Sequence, residues 1–334
     1  MSHGRFNNPV VAALAGVNDF FAKQKLSERL TDDDRADGKV CLITGANSGL
    51  GWGIAREMAM RGAHVVIAQR RLVKETVDKL KRQTGSQKIE GRLLDLGKID
   101  SIHHFVDGLV EDNLHPDISI LNAGIALAKA RKTESGQEEM FFVNYLSNVI
   151  LTNLLLVKKV IHTPPEEPGF LPRIIFISSD SHQGSSHIDY DEFGVYYEYG
   201  ASKGISNYSY FKLLLNTYAV ELSRRLNSDK VRVACNVICP GPVHSNIIKE
   251  APWLLRVILG GIFKIIFKSP KKAALPVVYM SISPDYEGKT GQYLHMFNPK
   301  EMDEKCYLPE EGKKLWERSV VLWSELDNRS LVIG

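Results

Sequence analysis

The chain has 334 residues, enough for one large domain or two modest ones with a substantial buried core. Its 44% hydrophobic and 24% charged composition is that of an ordinary soluble globular protein, and a net charge of +3 without a dense Lys/Arg run argues against a nucleic-acid-tracking face. No H-E-x-x-H and no paired-cysteine zinc spacing occurs, so no metal site is expected.

Residues 1–37 read as an N-terminal extension in which Val10, Leu14, Val17 and Phe21 recur at helical spacing, which predicts a short amphipathic helix. The apolar stretch Val10 to Val17 lacks the basic lead of a secretory signal. From Lys39 onward, short β-branched runs alternate with helical patterns. Strands are expected at 40–44, 64–69, 88–95, 118–124, 173–179, 231–241 and 291–296, with helices near 50–61, 71–84, 98–111, 136–160, 199–227 and 270–281. Near-continuous apolar strands between helices indicate a parallel sheet covered on both faces, hence one doubly wound α/β domain over 38–325. No run reaches the roughly 18 uncharged apolar residues that span a bilayer. Cys41, Cys235 and Cys239 lie in the strands as small hydrophobes, and with Cys306 they suit a reducing compartment.

The first strand runs into Thr44-Gly45-Ala46-Asn47-Ser48-Gly49-Leu50-Gly51 and then a helix. Glycines there allow a tight turn and close approach of a pyrophosphate to the helix N-terminus, whose free N–H groups and dipole favour anions. The second strand ends in Gln69-Arg70-Arg71, where an NAD-preferring enzyme would place an acid for the ribose 2′-OH. Arg70 suits a 2′-phosphate and so NADP(H) over NAD(H); the plain reading is a solvated helix start. Asp95, at the end of the third strand, is placed either to accept from an adenine amino group or to cap the next helix.

The stretch YGASKG (199–204) supports two chemistries. Tyr199 and Lys203, four apart on a helix, would share a face, and an ammonium beside a phenol favours the phenolate needed for acid/base work. The same letters fit a G-x-S-x-G elbow with Ser202 as a hydrolase nucleophile, His244 or His295 as base and Asp229 or Asp285 behind it. That reading leaves the glycine loop without a role.

Taken together, TGANSGLG (44–51), Asp95, LNAG (121–124), Asn144, Ser178-Ser179, Tyr199-x-x-x-Lys203 and Pro240-Gly241 resemble the short-chain dehydrogenase/reductase family over roughly 38–325. Arg70 and the segment 267–294 look most like its retinol dehydrogenase-like branch. The resemblance implies a single Rossmann-type doubly wound α/β domain with a seven-stranded parallel sheet. It implies hydride transfer between NADP(H) and a lipophilic carbonyl/alcohol pair of retinoid, steroid or long-chain aldehyde type. The implied catalytic set is Asn144, Ser179, Tyr199 and Lys203. Implied cofactor contacts are Gly45, Asn47, Ser48, Gly49, Leu50 and Gly51 in the glycine loop, then Arg70, Asp95 and Leu96. They continue with Asn122, Ala123 and Gly124, the Tyr199–Lys203 pair, and Pro240, Gly241, Val243 and Ser245, where Ser245 replaces a usual threonine. A runner-up is a nucleotide-binding scaffold or sensor without turnover.

The segment 242–268 falls where the family carries its substrate-covering loop. Its apolar stretch WLLRVILGGIFKIIF (253–267), with Arg256 and Lys264, suits a lid over an apolar substrate and a peripheral membrane contact. The expected location is therefore the cytoplasm, with association on the cytosolic membrane face. The resemblance also implies homodimers or homotetramers packed through the helices at 136–160 and 199–227.

Overall fold

Alternate residues of the first strand, β1 (Val40–Thr44), point to opposite faces, and both faces are buried. Leu42 joins one apolar cluster while Cys41 and Ile43 join another. The structure, a computed structural model, describes residues 30–162, 170–185, 187–228, 232–241 and 269–333. The remaining strands are β2 (His64–Gln69), β3 (Ile89–Leu93), β4 (Ile118–Leu121), β5 (Arg173–Ile177), β6 (Ala234–Cys239), β7 (Tyr293–His295) and β8 (Asn298–Pro299). They form one eight-stranded sheet in the order β3-β2-β1-β4-β5-β6-β7-β8. Neighbours are parallel from β3 through β7, and β8 returns antiparallel to β7. The expected seven parallel strands are present; the eighth is a two-residue edge ending in Pro299, a position where a missing N–H does no harm.

Helices α1 (Gly49–Met60), α2 (Val73–Thr84) and α6 (Pro270–Ile282) cover one face, contributing Ile54, Met58, Leu80 and Val277 to its core. The other face is covered by α3 (Ile99–Glu111), α4 (Glu139–Val157), α5 (Ala201–Leu226) and α7 (Pro309–Leu326). Helix α4 is long and apolar enough to cross a membrane by length and composition, against the expectation that no segment is. Its apolar window is 89% buried inside the protein, so its hydrophobicity is that of a central core helix.

Helix α7, absent from the expected elements, lies across α4 and α5. Trp316 stacks on Tyr218 at 5.4 Å between ring centres, and Ser319 meets the Tyr145 hydroxyl at 2.6 Å. Beyond its end, buried Asp327 pairs with His103 of α3 at 2.6 Å and accepts from Trp323 Nε1. Every residue of α4 from Ser147 to Leu155 is buried within the one chain. At the other end, Arg61 Nη1 donates to the carbonyls of Thr31 and Asp34 at 2.6 Å each, so the last residues of the expected extension are clasped to the domain. The expected N-terminal helix, Val243, Ser245, His244, Asp229 and the 253–267 segment lie outside the described residues.

Candidate active site

The glycine loop sits at the C-terminal end of β1, beside β4, where the chain changes direction across the sheet. Gly45 turns at φ 73°, and a Cβ there would lie 2.9 Å from the Ala123 backbone. A Cβ on Gly51 would lie 2.3 Å from the Gly45 carbonyl and 2.5 Å from Asn122 Nδ2. Asn122 is the brace: its Nδ2 donates to the carbonyls of Thr44 and Gly45 at 2.9 and 3.0 Å, while Thr44 Oγ1 accepts from the Asn122 and Ala123 N–H groups. Helix α1 starts at Gly49, and Ser48 gives it no side-chain cap, which leaves its first N–H groups for an anion. The donor set and close packing fit a dinucleotide pyrophosphate.

At the end of β2, Gln69 is buried and spends its amide on the Arg71 and Leu72 carbonyls and on Thr76 Oγ1. It holds the turn that leaves Arg70 exposed, and Arg70 forms no ion pair among the described residues. Asp95 lies two residues beyond β3 and accepts from Gly97 N at 3.0 Å, a local cap that engages one carboxylate oxygen; Leu96 beside it is buried.

Three side chains, Asn144, Lys212 and Tyr208, then gather beyond β4 and β5. Asn144 lies fully buried in a π-helical turn (Phe142–Leu146) of α4, a distortion common at functional sites. It clasps Ile125 with two 2.8 Å bonds, Oδ1 to the N–H and Nδ2 to the carbonyl. A Cβ on Gly124 would lie 3.2 Å from Asn144 Oδ1 and 3.9 Å from Lys212 Nζ, so amide and ammonium meet over one glycine. Lys212 is 4% exposed and donates to the Ile177 carbonyl, the last of β5, at 2.8 Å. Burial lowers its pKa to about 8. One turn earlier on α5, Tyr208 carries its ring 5.6 Å from that ammonium, and burial, with some help from Cys239, raises its phenol. Tyr208-x-x-x-Lys212 is thus a second pair with the spacing of 199–203. Its sequence signal is a lysine inside the apolar run Phe211-Lys212-Leu213-Leu214-Leu215, where an unpaired charge is rarely tolerated.

The pair singled out from sequence is not brought to this cleft. Helix α5 begins at Ala201, so Tyr199 precedes it and the shared-face geometry does not apply. The Tyr199 hydroxyl donates to buried Glu138 Oε1 at 2.7 Å, and Glu138 Oε2 accepts from Phe141 N to cap α4. Burial and then the Glu138 carboxyl raise the Tyr199 phenol, the reverse of activation. Lys203 is exposed and lines a separate cavity of about 350 Å³ with Glu138, Tyr197, Asn207 and Tyr210. Nine residues, about two and a half turns, separate Lys203 from Lys212, which places them on opposite sides of α5. The elbow reading also fails: among the described residues no strand leads directly into Ser202, which lies exposed in the first turn of α5, and His295 is engaged with Asp180.

Ser179 follows β5 by two residues. Its Oγ accepts from the Ser181 N–H and hydroxyl at 3.3 and 3.0 Å, which leaves its own hydrogen to be donated elsewhere. Ser178 is buried, its hydroxyl without a partner among the described residues. Pro240 and Gly241 follow β6 at the same sheet edge, Gly241 at φ 78° against Met296. All four cysteines are buried and free.

A family model described as short chain dehydrogenase matches residues 39–252. The chain is 30% identical to the polyprenol dehydrogenase of Homo sapiens over 86% of each chain. It is 32% identical to Homo sapiens retinol dehydrogenase 13 (85% of this chain, 84% of the relative) and 31% identical to Homo sapiens retinol dehydrogenase 14 (94% and 96%). Among solved structures, an uncharacterised Mycobacterium paratuberculosis protein superposes with a TM-score of 0.67 at 24% identity, covering 91% of this chain and 99% of the other. A Pseudomonas aeruginosa RhlG/NADP complex superposes at 0.59 and 20% identity over 80% and 98%. These structural likenesses speak for the fold, and the sequence relationships place the chain within it: it belongs to the short-chain dehydrogenase/reductase family, in the retinol dehydrogenase-like branch, and is an oxidoreductase working with a nicotinamide dinucleotide.

Proposed function

We propose that the protein transfers hydride between NADP(H) and a lipophilic carbonyl/alcohol pair, with Tyr208 as proton donor and acceptor and Lys212 beside it. The observation that carries this reading is the buried Lys212 ammonium, held by the Ile177 carbonyl next to Gly124 and one helical turn from Tyr208. The nicotinamide supplies or takes the hydride when bound. For reduction, Ser179 donates to the substrate carbonyl oxygen and Tyr208 gives that oxygen its proton. For oxidation, the same phenol must first lose its proton, which the Lys212 charge favours. With Lys212 near 8 and the phenol raised by burial, the resting pair at neutral pH is charged amine and protonated phenol, the state ready to donate. Asn144 holds the backbone at Ile125 and stands beside Lys212, where a proton can be passed on.

The glycine loop, Asn122-Ala123-Gly124, Asp95-Leu96 and Pro240-Gly241 are read as the cofactor cradle. Exposed Arg70 supports the 2′-phosphate. The names of the relatives, polyprenol and retinol dehydrogenases, support a long apolar alcohol or its carbonyl as substrate. The apolar, basic stretch at 253–267 supports a lid that also touches a membrane on the cytosolic side.

The test is cofactor consumption with retinal, steroid ketones and long-chain aldehydes, using NADPH and NADH in parallel, for the wild type and Arg70→Ala. Turnover with NADPH, and a loss of at least tenfold in NADPH affinity for Arg70→Ala with NADH little changed, is expected. Equal use of NADH would overturn the NADP assignment. NADPH binding without turnover of any carbonyl would favour a non-catalytic nucleotide sensor.

A further inference from the structure

Two side chains following Ser179, Asp180 and His182, are tied down. Ser179 opens a 3-10 turn over Asp180–Gly184. The His182 ring faces the Ser179 carbonyl through Nδ1 at 2.7 Å, and its Nε2 accepts from the Asp303 backbone N–H at 3.1 Å. A nitrogen that accepts an N–H carries no proton, so the neutral ring holds its proton on Nδ1 and donates it to Ser179. Burial lowers the His182 pKa, which keeps this tautomer in place. Asp180, 6% exposed, accepts the Tyr293 hydroxyl on one oxygen. Its other oxygen takes Lys300 Nζ at 2.6 Å and lies 3.2 Å from His295 Nδ1. Burial alone would raise this carboxyl, but His295, Lys300 and Tyr293 outweigh it and hold it below its ordinary range.

Tyr293, His295, Lys300 and Asp303 all belong to the β7–β8 segment at the sheet edge. The same segment backs Gly241, where a Cβ would meet Met296 Sδ at 2.9 Å. We propose that Asp180 and His182 are positioning residues through which the 293–303 segment holds Ser179 in place, with its hydroxyl hydrogen free for the substrate oxygen. This rests on the reading of Ser179 as the group that orients the carbonyl. With Ser181 filling the acceptor side of Ser179 Oγ, a shift of the turn would misplace the donor without touching Tyr208 or Lys212.

The experiment uses the full chain with NADPH bound and compares wild type, Asp180→Asn and the double variant Asp180→Asn/Lys300→Met. Amide hydrogen exchange is followed across 178–184, with the β1 peptide 40–44 as control. Steady-state kinetics use whichever carbonyl the wild type reduces. Asp180→Asn is expected to speed exchange in 178–184 alone and to leave NADPH affinity within about twofold. It should lower kcat on the order of 10–100-fold with KM little changed, as a displaced reacting group does. The double variant, which also removes the half-buried Lys300 ammonium that faces this carboxylate, should recover part of both. Should Asp180→Asn not fold, Tyr293→Phe removes a single bond of the three and carries the same test. Unchanged exchange in 178–184 overturns the proposal, as does faster exchange with kcat per folded molecule intact. If the wild type binds NADPH yet reduces no carbonyl, the functional reading falls, and the exchange result alone decides whether the segment holds the turn.

Discussion

The two tyrosines that begin Y-x-x-x-K in this chain make opposite predictions when each loses its hydroxyl. Tyr208→Phe keeps the ring beside Lys212 and removes the group proposed to exchange the proton. General acid/base groups contribute about 10²–10⁴-fold, so kcat should fall by that much while NADPH affinity stays within a few-fold. Tyr199→Phe removes the donor to Glu138 Oε1, a carboxyl that is 1% exposed and whose pKa burial already raises. Leaving that oxygen short of a partner should cost about 1–3 kcal/mol of stability, seen as a lower urea midpoint with an unchanged slope. Its kcat per folded molecule should stay within about threefold, because the Tyr199 hydroxyl is turned to the cap of α4 and not to the cleft. The assay pairs urea unfolding with NADPH consumption, both on purified full-length protein. Turnover lost in Tyr199→Phe and kept in Tyr208→Phe would refute the assignment and return the chemistry to the 199–203 pair.

Lys212→Met should depress kcat as Tyr208→Phe does, and wild-type kcat/KM for reduction should decline as pH rises through about 8, where the Lys212 ammonium loses its proton; a profile flat to pH 10 would contradict this. Gly51→Ala forces a Cβ to 2.3 Å from the Gly45 carbonyl, so NADPH affinity in a fluorescence titration should drop at least tenfold, and retained affinity would mean the loop is not the pyrophosphate cradle. Burial would raise the Asp327 carboxyl, but the hydrogen bonds from Arg329 and His103 outweigh it and hold it at about 2. A carboxylate depressed in this way stabilises the fold fully above about pH 4 and loses that contribution as pH falls toward 2, here on the order of 2 kcal/mol. Asp327→Asn should therefore flatten the acid limb of a stability-against-pH curve over that window; an unaltered limb would show that the contact with α3 carries no such energy.

Much of the fold was legible because its signals are local. β1 and β2 occupy the expected 40–44 and 64–69, since an unbroken apolar run flanked by glycine or a charge has one structural solution between helices. The glycine loop was equally plain, as three glycines in seven residues between a strand and a helix serve a backbone geometry that side chains forbid. β3, β4 and β5 end at Leu93, Leu121 and Ile177, earlier than expected, where the chain turns off toward Asp95, Asn122 and Ser179. Helix α7 is not among the elements expected from sequence although Leu315, Trp316, Ser319, Leu322 and Trp323 keep helical spacing, and its place over α4 and α5 depends on partners more than 90 residues away in sequence, among them Tyr145 and Tyr218.

The sequence by itself determined the doubly wound sheet and the dinucleotide loop, because strand alternation and glycine spacing are encoded within a few residues of each, whereas Asn144 entered only through the family resemblance. Only the tertiary structure decided which lysine stands by the Ile177 carbonyl and Gly124, and which tyrosine ring lies beside it. A four-residue spacing says that two side chains share a helix face provided both are on the helix, and it says nothing of where the helix starts or which face meets the sheet. Those are set by the packing of α5 against β5 and β6, which starts the helix after Tyr199, turns Lys203 outward and drives Lys212 onto the carbonyl of Ile177.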